Sequence, residues 1–199
     1  MDLLLEKYLD FKELDRYEFE YMLEDGRKLT FIIRKNQFPH LIGIHKLVDI
    51  PIVARFNDPN DKRIKAIDIL SSIRNEEELT DQKIKDSLYF SEIENRYANF
   101  SKEKLLSLSF TDVIVDFDSS KIKTKLKSKY IFFEKANNTY THLGILYRQP
   151  EYVPETFFEE QSDYYIKNQK ILKVKRLRIY DSGKNLILEE YPNRAIDQN

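Results

Sequence analysis

The chain has three histidines, and two of them, His40 and His45, fall in one short segment, Phe38-Pro39-His40-Leu41-Ile42-Gly43-Ile44-His45-Lys46-Leu47. Imidazoles exchange protons near neutral pH, and the adjacent Lys46 can hold an anion, so these residues could serve phosphate chemistry. Their spacing argues against a shared metal. If residues 40–47 are helical, five residues turn through about 500°, which leaves the two rings roughly 140° apart. A His-Glu-x-x-His zinc helix needs an i, i+4 pair on one face, and no Glu lies between these two. With Asn36 as cap and Pro39 in the first turn, His40 stands at a helix start, where backbone N–H groups favour an anion. The competing reading has His40 capping the helix and His45 satisfied in or near the core. Gly43 costs a helix about 1 kcal/mol against Ala, which close approach of another backbone or a ligand would offset.

A second group lies late in the chain: Tyr140-Thr141-His142-Leu143-Gly144-Ile145, then Tyr152-Val153-Pro154-Glu155-Thr156-Phe157-Phe158, then Tyr164 to Gln169. Pro154 reads as a strand entry. Thr156 alternates with Phe157 and would face away from a core aromatic. Tyr165 and Gln169, four apart, would share one face of a helical turn. Tyr and Thr are also simply good strand residues. A third group, Lys121, Lys123, Lys125, Lys127 and Lys129, occupies alternate positions. As a strand it lines one face with lysine, opposite Ile122, Thr124, Leu126 and Ser128. That is a phosphate-binding stripe, or a charged edge strand that refuses partners.

The elements that must position these groups follow from periodicity. Residues 2–12 read as a short helix. Arg16–Leu23 and Lys28–Arg34 alternate about a Glu24-Asp25-Gly26-Arg27 hairpin turn. His40–Leu47 reads as helix. Ile64, Ile67, Leu70 and Ile73 recur near helical spacing. Thr80 caps a long helix that turns Ile84, Leu88, Ile93 and Tyr97 inward, and a third short helical stretch opens at Ser101. From Thr111 the chain reads as strands, at 111–117, 127–134, 140–147, 155–158, 171–180 and 186–190. Short connections make successive strands antiparallel neighbours, a meander. The expectation is one α+β domain over residues 1–199, with a helical part at about 36–110 and a sheet part at about 111–190.

Composition narrows the chemistry. With no cysteine there is no disulfide, thiolate nucleophile or Cys-ligated metal. The four glycines form neither a Walker loop nor a Rossmann fingerprint, so no cofactor is expected. Acidic residues interrupt the N-terminal apolar run, and no stretch of 18 apolar residues occurs, so the expectation is a soluble cytoplasmic protein without a membrane span. The net charge of −1 does not mark a nucleic-acid binder, but it is unevenly spread. Residues 1–110 carry 18 basic and 21 acidic side chains, residues 111–199 carry 15 and 13.

Taken in order, a hairpin, a Phe-x-His-Leu-x-Gly-x-His-Lys-Leu stretch, a Pro-x-Thr-Phe-Phe element, Tyr-x-x-x-Gln and a final strand resemble the phage-associated branch of the barnase–EndoU–colicin–RelE nuclease superfamily, its fourth phage group. The resemblance spans roughly residues 16–180. It implies helices packed on an antiparallel meander of about four strands, and metal-independent RNA cleavage through the 2′-hydroxyl. It implies His40 as base or acid, His45 or Tyr165 as second proton carrier, Lys46 stabilising the phosphate, and Thr156 and Gln169 orienting it. RNA is the expected partner, through Lys121, Lys123, Lys125, Lys127 and Lys129. An antitoxin or inhibitor protein is a natural partner for a toxin-like nuclease of phage or mobile-element origin, although no segment marks its site. The alternative is a non-catalytic RNA- or protein-binding accessory domain, which the near-zero net charge favours. Oligomeric state is open.

Overall fold

The structure, a computed structural model, describes residues 1–106 and 110–192. Residues 107–109, in the expected helical part, and 193–199, at the end of the expected domain, lie outside the described residues. Helix α1 (Leu3–Glu13) starts at Asp2, whose carboxylate accepts from the Leu4 and Leu5 N–H groups at 3.0 and 3.2 Å. Strands β1 (Glu18–Leu23) and β2 (Lys28–Ile32) form the expected hairpin, with Gly26 at φ +87° in its turn. Short helices follow: α2 (Phe38–Leu41), α3 (Pro51–Asn57), α4 (Ala66–Arg74), α5 (Asp81–Lys85), α6 (Glu94–Asn99) and α7 (Lys102–Leu106). The strands β3 (Asp112–Val115), β4 (Tyr130–Ala136), β5 (Thr139–Arg148), β6 (Glu151–Glu160), β7 (Ile171–Tyr180) and β8 (Leu186–Glu190) complete the order. Among the described residues no helix is long and apolar enough to cross a membrane.

The long helix expected after Thr80 is corrected. Thr80 does cap α5, accepting from the Lys83 N–H at 3.3 Å. The helix then stops, where Asp49 takes the Ser87 hydroxyl and the Leu88 N–H at 2.6 and 2.8 Å. The chain resumes as a 3-10 turn (Phe90–Glu92) and α6. Ile84, Ile93 and Tyr97 are buried as expected, but Leu88 is left 85% exposed.

The sheet is also corrected. Strands β3 to β6 are successive antiparallel neighbours, a four-stranded meander. But β7 pairs with β3 on one side and β1 on the other, and β2 meets β6 in parallel at Phe31 and Tyr152. Seven strands therefore close in the order β1-β2-β6-β5-β4-β3-β7, and β8 extends beside β7. The α+β class stands, but the hairpin is part of a closed barrel wall instead of lying apart from an open meander. The pairing that closes it joins Glu18 to Tyr180, a separation that no local pattern reports. Closure removes the exposed edges that an open sheet would leave.

Two features of this frame place the site. A chain of rings ties α2 to β6: Phe38 lies 5.5 Å from Tyr8 and 5.4 Å from Phe11, Phe11 lies 5.6 Å from Phe100, and Phe100 lies 5.2 Å from Phe157. All five are buried, so the helix that carries His40 is locked against the strand that carries Thr156. The second feature is a bulge in β6. Gly144 pairs with Thr156 and Ile145 with Pro154, which leaves Glu155 as an extra residue. Pro154 is thus not the strand entry expected; β6 begins at Glu151, and the bulge lets a proline sit inside the strand.

Candidate active site

The 40–47 segment is not one helix. Helix α2 is a single turn and ends at Leu41. Gly43 follows in the left-handed region at φ +94°, and Ile44–Lys46 forms a 3-10 turn. Asn36 does not cap α2; Gln37 holds that position, and its side chain accepts from the Arg34 N–H at 2.8 Å. Pro39 does sit in the first turn. The reversal at Gly43 overturns the angular argument. Instead of pointing apart, the His40 and His45 rings lie 4.9 Å apart between centroids. A helix of one turn also lacks the aligned amides needed to hold an anion at its start.

Gly43 is needed twice over. A Cβ there would lie 2.8 Å from Ile93 Cγ2 and 3.1 Å from Arg96 Cδ, so side chains at the start of α6 and within it, instead of another backbone, make the close approach. Gly43→Ala is expected to cost about 1–3 kcal/mol, from the left-handed φ and the overlap together. Denaturant unfolding checks this; an unchanged midpoint would mean the turn is not held as described.

Two clefts meet at His45. The first, about 600 Å³, is lined by His40, His45, Phe56, Arg148, Glu155 and Thr156 among others. The second, about 560 Å³, is lined by His45, Lys46, Arg96, Lys125, Phe158 and Tyr165 among others. His45, Leu126 and Thr156 belong to both. His40, His45, Lys46, Thr156 and Tyr165 thus share one groove, with walls from α2, β6 and the loop after β3. Lys46 lies 3.8 Å from the Glu92 carboxylate.

Both imidazoles are held below their usual basicity. His40 is exposed on the cleft wall, yet the atoms crowded around its ring disfavour the charged form, and Arg148 adds repulsion. His45, half-buried, is pushed down to about 4, by desolvation first and then by the charges of His40 and Arg96. Its Nδ1 is buried without a hydrogen-bond partner among the described residues; the Pro39 carbonyl favours the protonated ring but does not reach hydrogen-bond geometry.

Gln169 is not brought to the groove. Its amide oxygen accepts from the Asp118 N–H at 3.1 Å and its amide nitrogen donates to the Asp118 carbonyl at 3.0 Å. It anchors the turn that opens the lysine segment. That segment, in turn, is no strand. Residues 122–129 form an irregular loop, so the edge-strand reading is corrected. Exposure still alternates: the five lysines face solvent, while Leu126 and Ser128 turn inward. Lys129 is bound to Asp116 at 2.9 Å, and Lys121 donates to the Asn168 carbonyl at 2.9 Å. Lys123, Lys125 and Lys127 have no carboxylate partner among the described residues.

Three groove residues carried no signal in the sequence. Arg96 is half-buried, has no carboxylate partner among the described residues, and is held at about 10 by desolvation. It donates to the His40 carbonyl at 3.4 Å. Arg148 lies exposed in the first cleft, also without a carboxylate partner among the described residues. Glu155, re-aimed by the bulge, accepts from the Ser128 hydroxyl at 2.6 Å and the Lys127 N–H at 3.3 Å. Gly144 makes room for this, since a Cβ there would lie 2.4 Å from Ser128 Oγ and 2.9 Å from Thr156 Cγ2. Among the described residues no three of His, Asp and Glu converge in a set that could hold a metal ion.

No curated protein and no solved structure matches this chain. One family model does, described as phage-Barnase-EndoU-ColicinE5/D-RelE like nuclease4, over residues 3–191. A match over nearly the whole chain bears out the resemblance of its motifs, and the chain belongs to this phage-type nuclease family.

Proposed function

We propose that the protein is a metal-independent endoribonuclease whose centre is the His40–His45 pair. The observation that carries this reading is the meeting of two imidazoles, 4.9 Å apart, on the wall of a groove that also holds two arginines without carboxylate partners among the described residues. Cleavage through the 2′-hydroxyl needs a base for that hydroxyl, an acid for the leaving 5′-oxygen, and cations for the phosphorane charge. His40, exposed and neutral, takes the 2′-hydroxyl proton as its oxygen attacks phosphorus. The P–O5′ bond breaks, and His45 in its protonated form gives that oxygen a proton and is left neutral, with Tyr165 as the other group in reach of the groove. The products are a 2′,3′-cyclic phosphate and a 5′-hydroxyl. Lys46 stabilises the phosphate charge, and Thr156 orients it from the bulged strand. Within this reading the chain acts as one cytoplasmic domain, with a toxin-like role and a protein inhibitor as its setting.

Incubating the purified protein with mixed RNA in EDTA tests the assignment. Cyclic-phosphate products support it. RNA that is bound but never cut supports the binding-module reading instead.

The pH profile separates the two candidate acids. With His45 as acid the active form needs His45 protonated and His40 neutral, so kcat/KM peaks between about 4 and the depressed value of His40, and declines before neutrality. A rate that holds through neutral pH would remove His45 as the acid.

A further inference from the structure

Closing the barrel leaves one strand with an open edge. Every other strand has two neighbours, whereas β8 pairs with β7 alone. Among the described residues, no backbone group of residues 186–190 bonds to a backbone outside that pair. The N–H and carbonyl groups directed away from β7 are therefore left for water or for another strand.

The strand is apolar where an open edge is ordinarily blunted by charge. Leu188 packs against the core and anchors it, while Leu186 is 49% exposed and Ile187, on the opposite face, 54%. The first acid, Glu189, is turned onto β7, where it accepts from Arg178 at 2.6 Å and lies 3.7 Å from Arg176. Its charge is thus already matched within the chain and does little to repel a partner strand.

We propose that the open edge of β8 is an interface between two copies of this chain, paired antiparallel about a two-fold axis at Ile187, so that the two barrels share one continuous sheet. The proposal stands apart from the ribonuclease reading. An identical strand fits for a reason of register. Residues directly opposite in an antiparallel pair point to the same face, so a two-fold axis between two copies of β8 falls on a residue. An axis at Glu189 or Glu190 sets a carboxylate against its own copy. An axis at Leu188 sets Ile187 against Glu189 and Leu186 against Glu190. An axis at Leu186 sets Ile187 and Leu188 against Asn185 and Lys184. An axis at Ile187 sets Ile187 against itself and Leu186 against Leu188, and brings Glu189 and Glu190 opposite Asn185 and Lys184 of the second copy. Only this register matches apolar with apolar throughout and places each carboxylate against a neutral or basic side chain. The contact is closed by its symmetry and stops at a dimer, and so short a ladder makes that dimer weak and dependent on concentration.

Sedimentation equilibrium of the full chain, from about 5 to 500 µM, tests the pairing. The weight-average mass is expected to rise with concentration from 23.9 kDa towards twice that value. Ile187→Lys, which sets two ammonium groups opposite each other at the axis, should hold it at 23.9 kDa. Ile187 is exposed, so folding should survive, and an unchanged urea midpoint at low concentration checks that it does. Cross-linking reads the axis. The chain has no cysteine, so an introduced thiol is the only one. In Ile187→Cys the two Cβ atoms would stand about 5 Å apart, close to disulfide geometry. In Glu189→Cys they would stand about 14 Å apart, four residues out of register. Mild oxidation should therefore link the first variant about tenfold faster than the second, or more. A mass that stays at 23.9 kDa throughout, a dimer that Ile187→Lys leaves intact, or equal cross-linking of the two cysteine variants would overturn the proposal.

Discussion

Replacing His40 with alanine is expected to slow RNA cleavage by about 10²–10⁴-fold, the usual contribution of a positioned proton carrier. The effect should fall on kcat more than on KM, because Lys46, Arg96 and Arg148 still hold the phosphate. Folding should survive. His40 is exposed, and its aromatic neighbours are His45 at 4.9 Å and Phe56 at 5.5 Å. The fixed element is Phe38, two residues earlier and buried among Tyr8, Phe11 and Phe100. The variant can therefore be compared with the wild type at equal folded fraction. His45→Ala should lose activity comparably. The double variant should be little worse than either single one, because a base and an acid that act in the same step work as a unit. Cleavage by His40→Ala at the wild-type rate would remove the histidine pair from the mechanism.

How much of this was legible beforehand depends on the range of the interaction. Strands β7 and β8 have the bounds that alternation and the Asp181-Ser182-Gly183 break imply, since both signals are local. Barrel closure was not legible, because it depends on Glu18 finding Tyr180 and Phe31 finding Tyr152. His40 and His45 could be picked by residue type, but their meeting could not be obtained from helical spacing. The signal that was available is Gly43: a glycine just beyond one helical turn also reads as a left-handed helix stop. Taking it as a helix interior sent the two rings apart. The lysine alternation marks exposure, but residues 122–129 are a loop and not a strand. The loop keeps its period because Tyr164 holds the Lys123 N–H at 2.9 Å and Glu155 holds Ser128, which fixes alternate residues inward without a ladder. Gln169 was matched by position in a motif, whereas its amide is spent on the Asp118 backbone. Arg96 could not be found at all. What marks it is a half-buried guanidinium with no carboxylate paired to it among the described residues, which is a property of the folded surface.

The third histidine leads to the other large effect, on stability. His142 is fully buried, and neither ring nitrogen has a hydrogen-bond partner among the described residues. It stacks on Phe158 at 4.6 Å and 6°, with Tyr165 at 5.7 Å and Phe133 at 6.1 Å. Desolvation pushes its basicity down to about 4; the Tyr140 backbone opposes this without hydrogen-bond geometry. The unfolded chain binds a proton at that residue near pH 6.5, while the folded chain does so only near 4. Between those values only the unfolded state takes up the proton, so the contribution is intact above pH 6.5 and is lost as pH falls towards 4. The total is about 3 kcal/mol, at ~1.4 kcal/mol per pH unit. His45 adds to the loss over the same window. His142→Phe removes one proton from this linkage and also removes two buried polar atoms that lack partners. The variant should therefore be at least as stable as the wild type at pH 7, and its advantage should grow by ~1.4 kcal/mol per unit as pH falls from 6.5 to 4. Urea unfolding at a series of pH values measures that difference directly. Parallel stability curves for the two proteins would mean that His142 is protonated in the folded state, and that its aromatic surroundings hold a cation instead of excluding one.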